Sequence, residues 1–206
     1  MRVRSICLLL LLASAAAQAQ SRIGFSLGGD FGSDVLFRAA LPAEVALGPT
    51  FSLRPELAFT QRKSLALIQN LDRERRYFSA TMTYLEIPVL LKAELRVRSW
   101  SLFGLFGPAA SFGLRAAAWY RESGRIKTEQ LSWSGANLRR FDLGLYAGLG
   151  GQKMLPDGYV LFLDFRYYLG LLNLNTQSGG AAIYHQGKVF TLGFLIPFQR
   201  KTGTAQ

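Results

Sequence analysis

The stretch YLEIPVLLK, from Tyr84 to Lys92, reads as a buried β-strand that an acid, a proline and a base interrupt. Side chains on a strand point alternately to its two faces. One face here is purely aliphatic and the other is mixed: Leu85, Ile87, Val89 and Leu91 against Tyr84, Glu86, Pro88, Leu90 and Lys92. A soluble β-sandwich and a barrel standing in lipid both produce this pattern, so the rest of the chain has to distinguish them.

The first residues have the features of a secretory signal peptide over 1–19. MRVRS carries two arginines, ICLLLLLASAAA is an apolar run of 12 residues, and Ala17-Gln18-Ala19 places small residues around a cleavage site. The apolar run is too short to span a bilayer. We therefore expect export, a mature chain that starts at Gln20, a β-barrel domain over 20–198 and a short basic tail over 199–206.

The composition argues against several kinds of site. Cys7 is the one cysteine and lies in the expected signal peptide, and His185 is the one histidine. We therefore expect no disulfide, no metal centre and no cofactor. The chain has 24 Lys and Arg against 13 Asp and Glu, a net charge of +11. Such a balance is typical of proteins that bind nucleic acid, a membrane surface or anionic glycolipid, and export argues against nucleic acid.

Eight segments alternate between apolar and polar residues with a period of two. Most are 10 to 15 residues long. A tilted strand needs about 9–11 residues to cross the hydrocarbon layer, whereas strands of soluble domains average about 5–6. The segments are therefore typical of a membrane barrel. They cover residues 22–31, 36–47, 51–62, 81–93, 100–113, 139–153, 159–171 and 187–198.

The connectors between these segments alternate in length. Short ones lie at 48–50, 96–99 and 155–158, and long ones at 63–80, 114–138 and 172–186. Short turns on one side and long loops on the other are the layout of an outer-membrane barrel, with both termini on the side of the short turns. The pattern predicts an all-β, eight-stranded, antiparallel, up-and-down transmembrane β-barrel. A lipocalin-type barrel also has eight strands, but it would turn its apolar face inward around a ligand.

Charged residues lie on the more polar face of several predicted strands. The interior of an eight-stranded barrel is just wide enough for side chains to fill it. Four acids and four bases on this face would balance, so we predict a paired ion network in the lumen, in which a base such as Arg54 or Arg166 is the partner of Glu86. Pro88 cannot donate to a ladder, and we expect a bulge or a lost hydrogen bond there. The predicted network is Arg54, Glu56, Glu86, Lys92, Arg140, Asp142, Asp164 and Arg166.

The chain resembles the PorT-like outer-membrane β-barrel proteins. YLEIPVLLK looks like their signature fourth strand with its Tyr-Leu-Glu-Ile-Pro core. LRPELAFTQR before it, LFGLFGPAASFGL after it, and FDLGLYAGLGG, LDFRYYLGLLNL and FTLGFLIPF further on are similar to the family's remaining strands. The resemblance implies an eight-stranded fold in the outer membrane and no catalytic motif. The name-giving member is an accessory factor in protein secretion, so the resemblance implies an envelope or secretion complex as a partner.

The leading functional hypothesis is a small non-enzymatic barrel with a structural or accessory role in the cell envelope. The alternative is an enzyme that modifies lipid A acyl chains, with His185 as a base near the outer rim. Ser178 is near His185 in sequence, but no acid lies between Asn173 and Phe198 to orient the imidazole. We therefore expect His185 to be a solvated loop residue.

Basic residues are concentrated in two of the predicted long loops. If these loops face outward, they meet a leaflet rich in phosphorylated glycolipid, and arginine forks bind phosphate well. We therefore expect outer-membrane lipid and glycolipid to be partners. The candidate phosphate contacts are Arg62, Lys63, Arg73, Arg75, Arg76, Arg121, Arg125 and Lys127.

Overall fold

Nine strands account for most of the chain in a computed structural model, which describes residues 21–31, 35–67, 77–122, 125–177 and 182–198. The expected signal peptide and the basic tail lie outside these residues. A short 3-10 turn, Pro156–Gly158, joins two of the strands. The strands are β1 Ser21–Phe31, β2 Val35–Ala46, β3 Phe51–Leu67, β4 Tyr77–Val97, β5 Trp100–Glu122, β6 Arg125–Leu131, β7 Phe141–Met154, β8 Val160–Gly170 and β9 Gln186–Phe198.

Eight of these strands form a closed antiparallel β-barrel, as the sequence predicts. Each strand pairs with the next along the chain, except that β5 pairs with β7 around the short β6. The barrel closes between β1 and β9, where Ile23 lies opposite Ile196. Within the described chain β6 pairs with β5 alone, so it forms a hairpin that stands outside the barrel wall.

No helix within the described ranges is both long and apolar enough to cross a membrane.

The alternation of β4 matches the expectation from its sequence. Ile87 is 52 % exposed on the outer wall, whereas the neighbouring Glu86 is fully buried in the lumen. The ladder keeps one register past Pro88, which lies opposite Ala109, so the bulge expected there is absent. Pro88 lacks the N–H that would donate a ladder hydrogen bond, but the strand keeps its register.

The bulge lies higher on the same pair of strands, between Thr83 and Tyr84 of β4. Thr83 pairs with Arg115 and Tyr84 with Gly113, so Leu114 of β5 is the extra residue. A one-residue insertion shifts the alternation, because side chains change face with every residue. Phe103, Leu105 and Ala109 therefore point inward before the bulge, and Ala116 and Ala118 point inward after it.

The loop end of the barrel carries extra structure. β4 has 21 residues and β5 has 23, about twice the number that crosses the hydrocarbon layer. Above the barrel, residues 132–140 meet residues 171–175 through a bridge between Leu138 and Asn175. Leu174 is fully buried beneath this contact, and its N–H donates to the Ile183 carbonyl at 2.8 Å. We call these two segments the cap.

Candidate functional site

The lumen is lined by ionised side chains, and Glu86 lies at the centre of one cluster. Its Oε1 accepts hydrogen bonds from Arg38 Nη1 at 3.0 Å and from the Tyr146 hydroxyl at 2.8 Å. Its Oε2 accepts from Arg62 Nη2 and from the Ser111 hydroxyl, the latter at 3.0 Å. All five side chains are buried, and they come from five different strands. Glu86 therefore links five strands of the barrel through hydrogen bonds across the lumen.

A second cluster lies next to the first, around Arg166 of β8. Its guanidinium donates to both carboxylate oxygens of Glu56, at 2.8 and 2.9 Å, and to both of Asp164, at 2.7 and 2.9 Å. Arg54 also lies between these acids, with Nε 3.1 Å from Glu56 Oε1 and Nη1 3.6 Å from Asp164 Oδ2. The Arg54 guanidinium carbon stands 3.9 Å from the centre of the Phe162 ring. Two buried bases thus share two buried acids.

A third cluster lies toward the short turns. Lys92 Nζ donates to Glu44 Oε2 at 2.8 Å and to Gln152 Oε1 at 2.6 Å, and it lies 3.5 Å from Glu94. Glu94 in turn accepts a hydrogen bond from the Ser101 hydroxyl at 2.8 Å. This cluster fills the end of the lumen opposite the cap.

Arg38 of β2 joins the first two clusters. Its Nη1 donates to Glu86 and its Nη2 donates to Glu56 at 2.8 Å. Charge is expensive to bury unless it is paired and hydrogen-bonded. The pairing makes these buried charges tolerable. The paired side chains fill the space that a wider barrel would leave as a channel.

The lumen beneath the cap holds Asp142 and His185. The Tyr168 hydroxyl donates to Asp142 Oδ2 at 2.9 Å, and His185 Nδ1 lies 3.5 Å from the same oxygen. The imidazole packs edge-on against Tyr84, with ring centres 5.4 Å apart. The expectation that His185 is solvated is wrong, because it is only 2 % exposed. Burial lowers the pKa of His185, and the nearby Asp142 opposes this only in part.

The cap seals this end with apolar side chains. Trp133 and Leu138 pack on the buried Met82 and Tyr84. The rings of Trp133 and Tyr84 meet edge-on, with centres 5.9 Å apart. A water-filled path from the loop end to the ion pairs would have to displace these contacts.

Seven of the eight residues predicted for the ion network lie in the lumen. The exception is Arg140, which is exposed and precedes the first residue of β7. Its Nε donates to the Gly113 carbonyl at 2.7 Å, and its guanidinium lies over the ring of Phe112 on the outer wall. The alternation that predicts a lumen position holds only inside a strand, and β7 starts one residue later.

The pairing within the network also differs from the prediction. Neither Arg54 nor Arg166 pairs with Glu86, whose basic partners are Arg38 and Arg62. Sequence separation gave no means of choosing among the bases, because partners across a barrel are fixed by strand register. The alternation within β2 does point Arg38 and Glu44 inward, so the sequence carried a signal for these two residues.

The candidate phosphate contacts are distributed differently from the prediction. Arg62 is a correction: β3 runs on to Leu67, so Arg62 keeps the inward parity and is 2 % exposed. Lys63 is half-buried on β3 and Lys127 is exposed on β6. The remaining five lie outside the residues, or the side chains, that the structure describes: Arg73, Arg75, Arg76, Arg121 and Arg125.

Within the described ranges, no group of three or more His, Cys, Asp or Glu side chains is placed to hold a metal ion.

A family model described as outer membrane protein beta-barrel domain matches residues 16–175. The chain belongs to this family. It is an outer-membrane β-barrel protein, and its place in the cell is the outer membrane. A comparison with curated proteins found no match.

One solved outer-membrane protein shares the fold of this family member, and two others are similar at lower TM-scores. A major outer membrane protein from Thermus thermophilus is 13 % identical, with a TM-score of 0.54 over 88 % of this chain and all of that one. Neisserial surface protein A is 15 % identical, with a TM-score of 0.44 over 87 % and 97 % of the two chains. Ail of Yersinia pestis, solved with the heparin analogue sucrose octasulfate, is 14 % identical, with a TM-score of 0.42 and the same coverage.

Proposed function

We propose that this outer-membrane barrel is a non-enzymatic component of the cell envelope, with a structural or accessory role and a lumen closed to solutes. The observation that carries the proposal is the filling of the lumen. Ion pairs bridge it from the Lys92 cluster to Glu86, and the cap covers its loop end. A transport channel needs a continuous aqueous path, and the described side chains leave the centre of the barrel occupied.

Planar-bilayer recordings of the refolded protein test this closure. We expect no steady conductance, since eight strands leave no channel once long side chains fill the interior. Large, stable and uniform single-channel steps would overturn the proposal.

The placement of His185 argues against the alternative function, an enzyme that modifies lipid A acyl chains. Its imidazole lies inside the barrel beside Tyr84 and beneath the cap, whereas acyl chains run along the outer wall. Mass spectrometry of lipid A from cells with and without the protein tests this directly. We expect identical acylation, and a difference that His185→Ala abolishes would favour the enzyme.

The finer hypothesis is an accessory role in a secretion or assembly complex. It rests on the resemblance of YLEIPVLLK to the PorT-like signature strand. Cross-linking in intact cells followed by co-purification tests it. Reproducible recovery of envelope secretion components would support the hypothesis. Recovery of only unrelated proteins that neighbour the barrel in the membrane would count against it.

The proposed function also requires an orientation, with the long loops and the cap outside and the short turns in the periplasm. Ser134 is exposed in the cap and Asp157 is exposed in the short turn between β7 and β8. We expect Ser134→Cys to react with an impermeant thiol reagent on whole cells and Asp157→Cys to stay unlabelled. The reverse labelling would overturn the orientation.

A further inference from the structure

The outward face of β5 locates the edge of the hydrocarbon layer. Leu102, Phe106 and Phe112 are 65 %, 59 % and 47 % exposed on this face. Leu102 and Phe112 are ten residues apart, which is about 24 Å along the membrane normal at roughly 3.4 Å per residue and about 45° of tilt. The apolar band of such barrels is about 25 Å tall. With Leu102, which follows the short turn before β5, taken as the turn-side edge of the band, Phe112 lies at the loop-side edge.

The bulge in this strand pair presents Arg115 just above that edge. Gly113 is buried, as the alternation requires, but Leu114 and Arg115 are both exposed. Without the extra residue, Arg115 would share the inward face with Gly113. Bulges commonly re-aim a side chain at functional positions. Here the bulge keeps a guanidinium out of the lumen and sets it at the level where lipid headgroups begin.

Arg140 is held at the same level. Gly113 N–H donates to the Arg140 carbonyl at 2.7 Å, and Arg140 Nε donates back to the Gly113 carbonyl at 2.7 Å. The guanidinium carbon stands 4.7 Å from the centre of the Phe112 ring. The side chain is thus fixed against a lipid-facing aromatic. Arg139, the preceding residue, is exposed beside it, with its N–H bonded to the Leu174 carbonyl.

These three arginines differ from those in the lumen. Arg38, Arg54, Arg62 and Arg166 each lie within ion-pair distance of a carboxylate. Within the described ranges, Arg115, Arg139 and Arg140 make no ion pair, and the Arg140 Nη groups have no hydrogen-bond partner. Three guanidinium groups without an acidic partner among the described residues thus lie at the same end of the barrel. An anion from outside the chain would serve as that partner.

We propose that Arg115, Arg139 and Arg140 bind the phosphate groups of a phosphorylated glycolipid in the leaflet at the loop end. The guanidinium forks match phosphate oxygens, and the exposed Phe112 and Leu114 below them offer an apolar surface for the acyl chains. The site rests on the proposed orientation and gives the expected glycolipid contact a location. Phe112 and the bases above it lie where a headgroup and its acyl chains meet.

Native mass spectrometry of the refolded protein in detergent tests this site. The protein is titrated with diphosphorylated lipid A, with the same lipid after phosphate removal, and with phosphatidylglycerol. We expect diphosphorylated lipid A to bind at least about tenfold more tightly than either of the other lipids, since arginine–phosphate contacts are strong charge-assisted hydrogen bonds. Equal binding of the dephosphorylated lipid would overturn the phosphate site, and equal binding of phosphatidylglycerol would overturn the glycolipid assignment.

The triple variant Arg115→Gln/Arg139→Gln/Arg140→Gln should lose about tenfold or more in lipid A affinity. Unchanged affinity would overturn the proposal. If the triple variant fails to refold, Arg115→Gln replaces it, because that side chain makes no hydrogen bond or ion pair within the described chain. A loss of about threefold is then expected for one charge-assisted contact, and no loss would again contradict the site.

A matched control removes three bases from the opposite rim: Arg96→Gln/Arg98→Gln/Lys153→Gln. Arg96 and Lys153 lie beside the short turns, and Lys153 Nζ stands 5.2 Å from the centre of the Trp100 ring. We expect its lipid A affinity to stay within about twofold of wild type; an equal loss would show that net charge alone drives binding. These outcomes are independent of the conductance test, so the site and the closed-barrel function can fail separately.

Discussion

Glu86 and Ile87 are covalent neighbours on β4, yet one meets the packed lumen and the other meets lipid. Glu86 is fully buried and accepts four hydrogen bonds from β2, β3, β5 and β7. Ile87 is 52 % exposed on the outward face of β4, which it shares with the exposed Leu85, Val89 and Leu91. A position on the outer wall accepts any side chain that is apolar. A position in the lumen requires a side chain of a particular charge, because each buried ion needs its partner.

This difference predicts how the two faces respond to substitution. A change on the outer wall is tolerated as long as the side chain stays apolar. A substitution in the lumen affects several strands at once, because Glu86 and Arg38 each form hydrogen bonds to residues of different strands. Unfolding by urea in lipid vesicles measures both kinds of change, and the expected effects run from the largest to the smallest.

The largest effect is expected for Glu86→Leu. It leaves Arg62 with Asp142, 4.0 Å away, as its nearest acid, and it leaves Arg38 with Glu56 alone. Removing one partner of a buried ion pair costs about 3–5 kcal/mol. Glu86→Gln keeps the shape and part of the hydrogen bonding, so it should cost less. Equal stability of Glu86→Leu and wild type would show that the lumen is wet enough to solvate both bases.

Ile87→Arg should come next, at about 2–4 kcal/mol, the range for a cation at the midplane of a barrel's lipid face. Ile87→Leu is the control and should be nearly neutral, because it keeps an apolar surface toward lipid. If Ile87→Arg is tolerated as well as Ile87→Leu, then β4 does not present this face to the bilayer.

Substitution of one glycine on each face tests how tightly the lumen and the outer wall are packed. A Cβ at Gly144 would overlap the ring of Tyr168 in the lumen, whereas a Cβ at Gly104 would have no neighbour closer than 3.9 Å. Overpacking a filled interior costs about 1–3 kcal/mol. We expect this loss for Gly144→Ala and little change for Gly104→Ala. Equal effects of the two substitutions would mean that the lumen can adjust around an added methyl group.

The smallest effect concerns His185. Burial lowers the pKa of this imidazole below its ordinary 6.5, so the unfolded chain binds a proton more readily than the folded barrel. The stability due to neutral His185 is therefore present above pH 6.5 and is lost as the pH falls below it, by at most about 1.4 kcal/mol per pH unit. The free energies of unfolding of wild type and His185→Gln, each measured at pH 7.5 and 5.5, isolate the contribution of His185 to the pH dependence of stability. A larger loss in the variant would reverse the sign and imply a protonated His185.

The barrel and most of the lumen set were predictable from the sequence, for a local reason. A period of two identifies both the strands and their faces, and it placed Glu86, Lys92 and Asp164 correctly. Arg62 and Arg140 were misassigned because they lie at the ends of predicted segments: Arg62 was taken as a loop residue although β3 continues to Leu67, and Arg140 was taken as a strand residue although β7 begins at Phe141. Strand ends are decided by hairpins beyond the membrane, which leave a weaker pattern in the sequence.

The partners and the cap were not predictable in the same way. Which base meets Glu86 depends on the register of strands far apart in sequence, as Arg38 and Arg62 show. The burial of His185 depends on the contact of two loops, through Leu138 and Asn175. The bulge that exposes Arg115 depends on how β4 and β5 align, so no property of β5 alone reveals it.

The most direct test of the closed lumen is a double-mutant cycle on Glu86 and Arg62, measured by urea unfolding in lipid vesicles. If the two form a buried pair, Glu86→Leu/Arg62→Met should lose less stability than the sum of its single variants, by about 1–3 kcal/mol. The cycle of Glu86→Leu with Lys92→Met is the control, since Lys92 bonds to Glu44 and Gln152 instead, and it should be additive within about 0.5 kcal/mol. Additivity in both cycles would contradict the ion network and the closed barrel built on it.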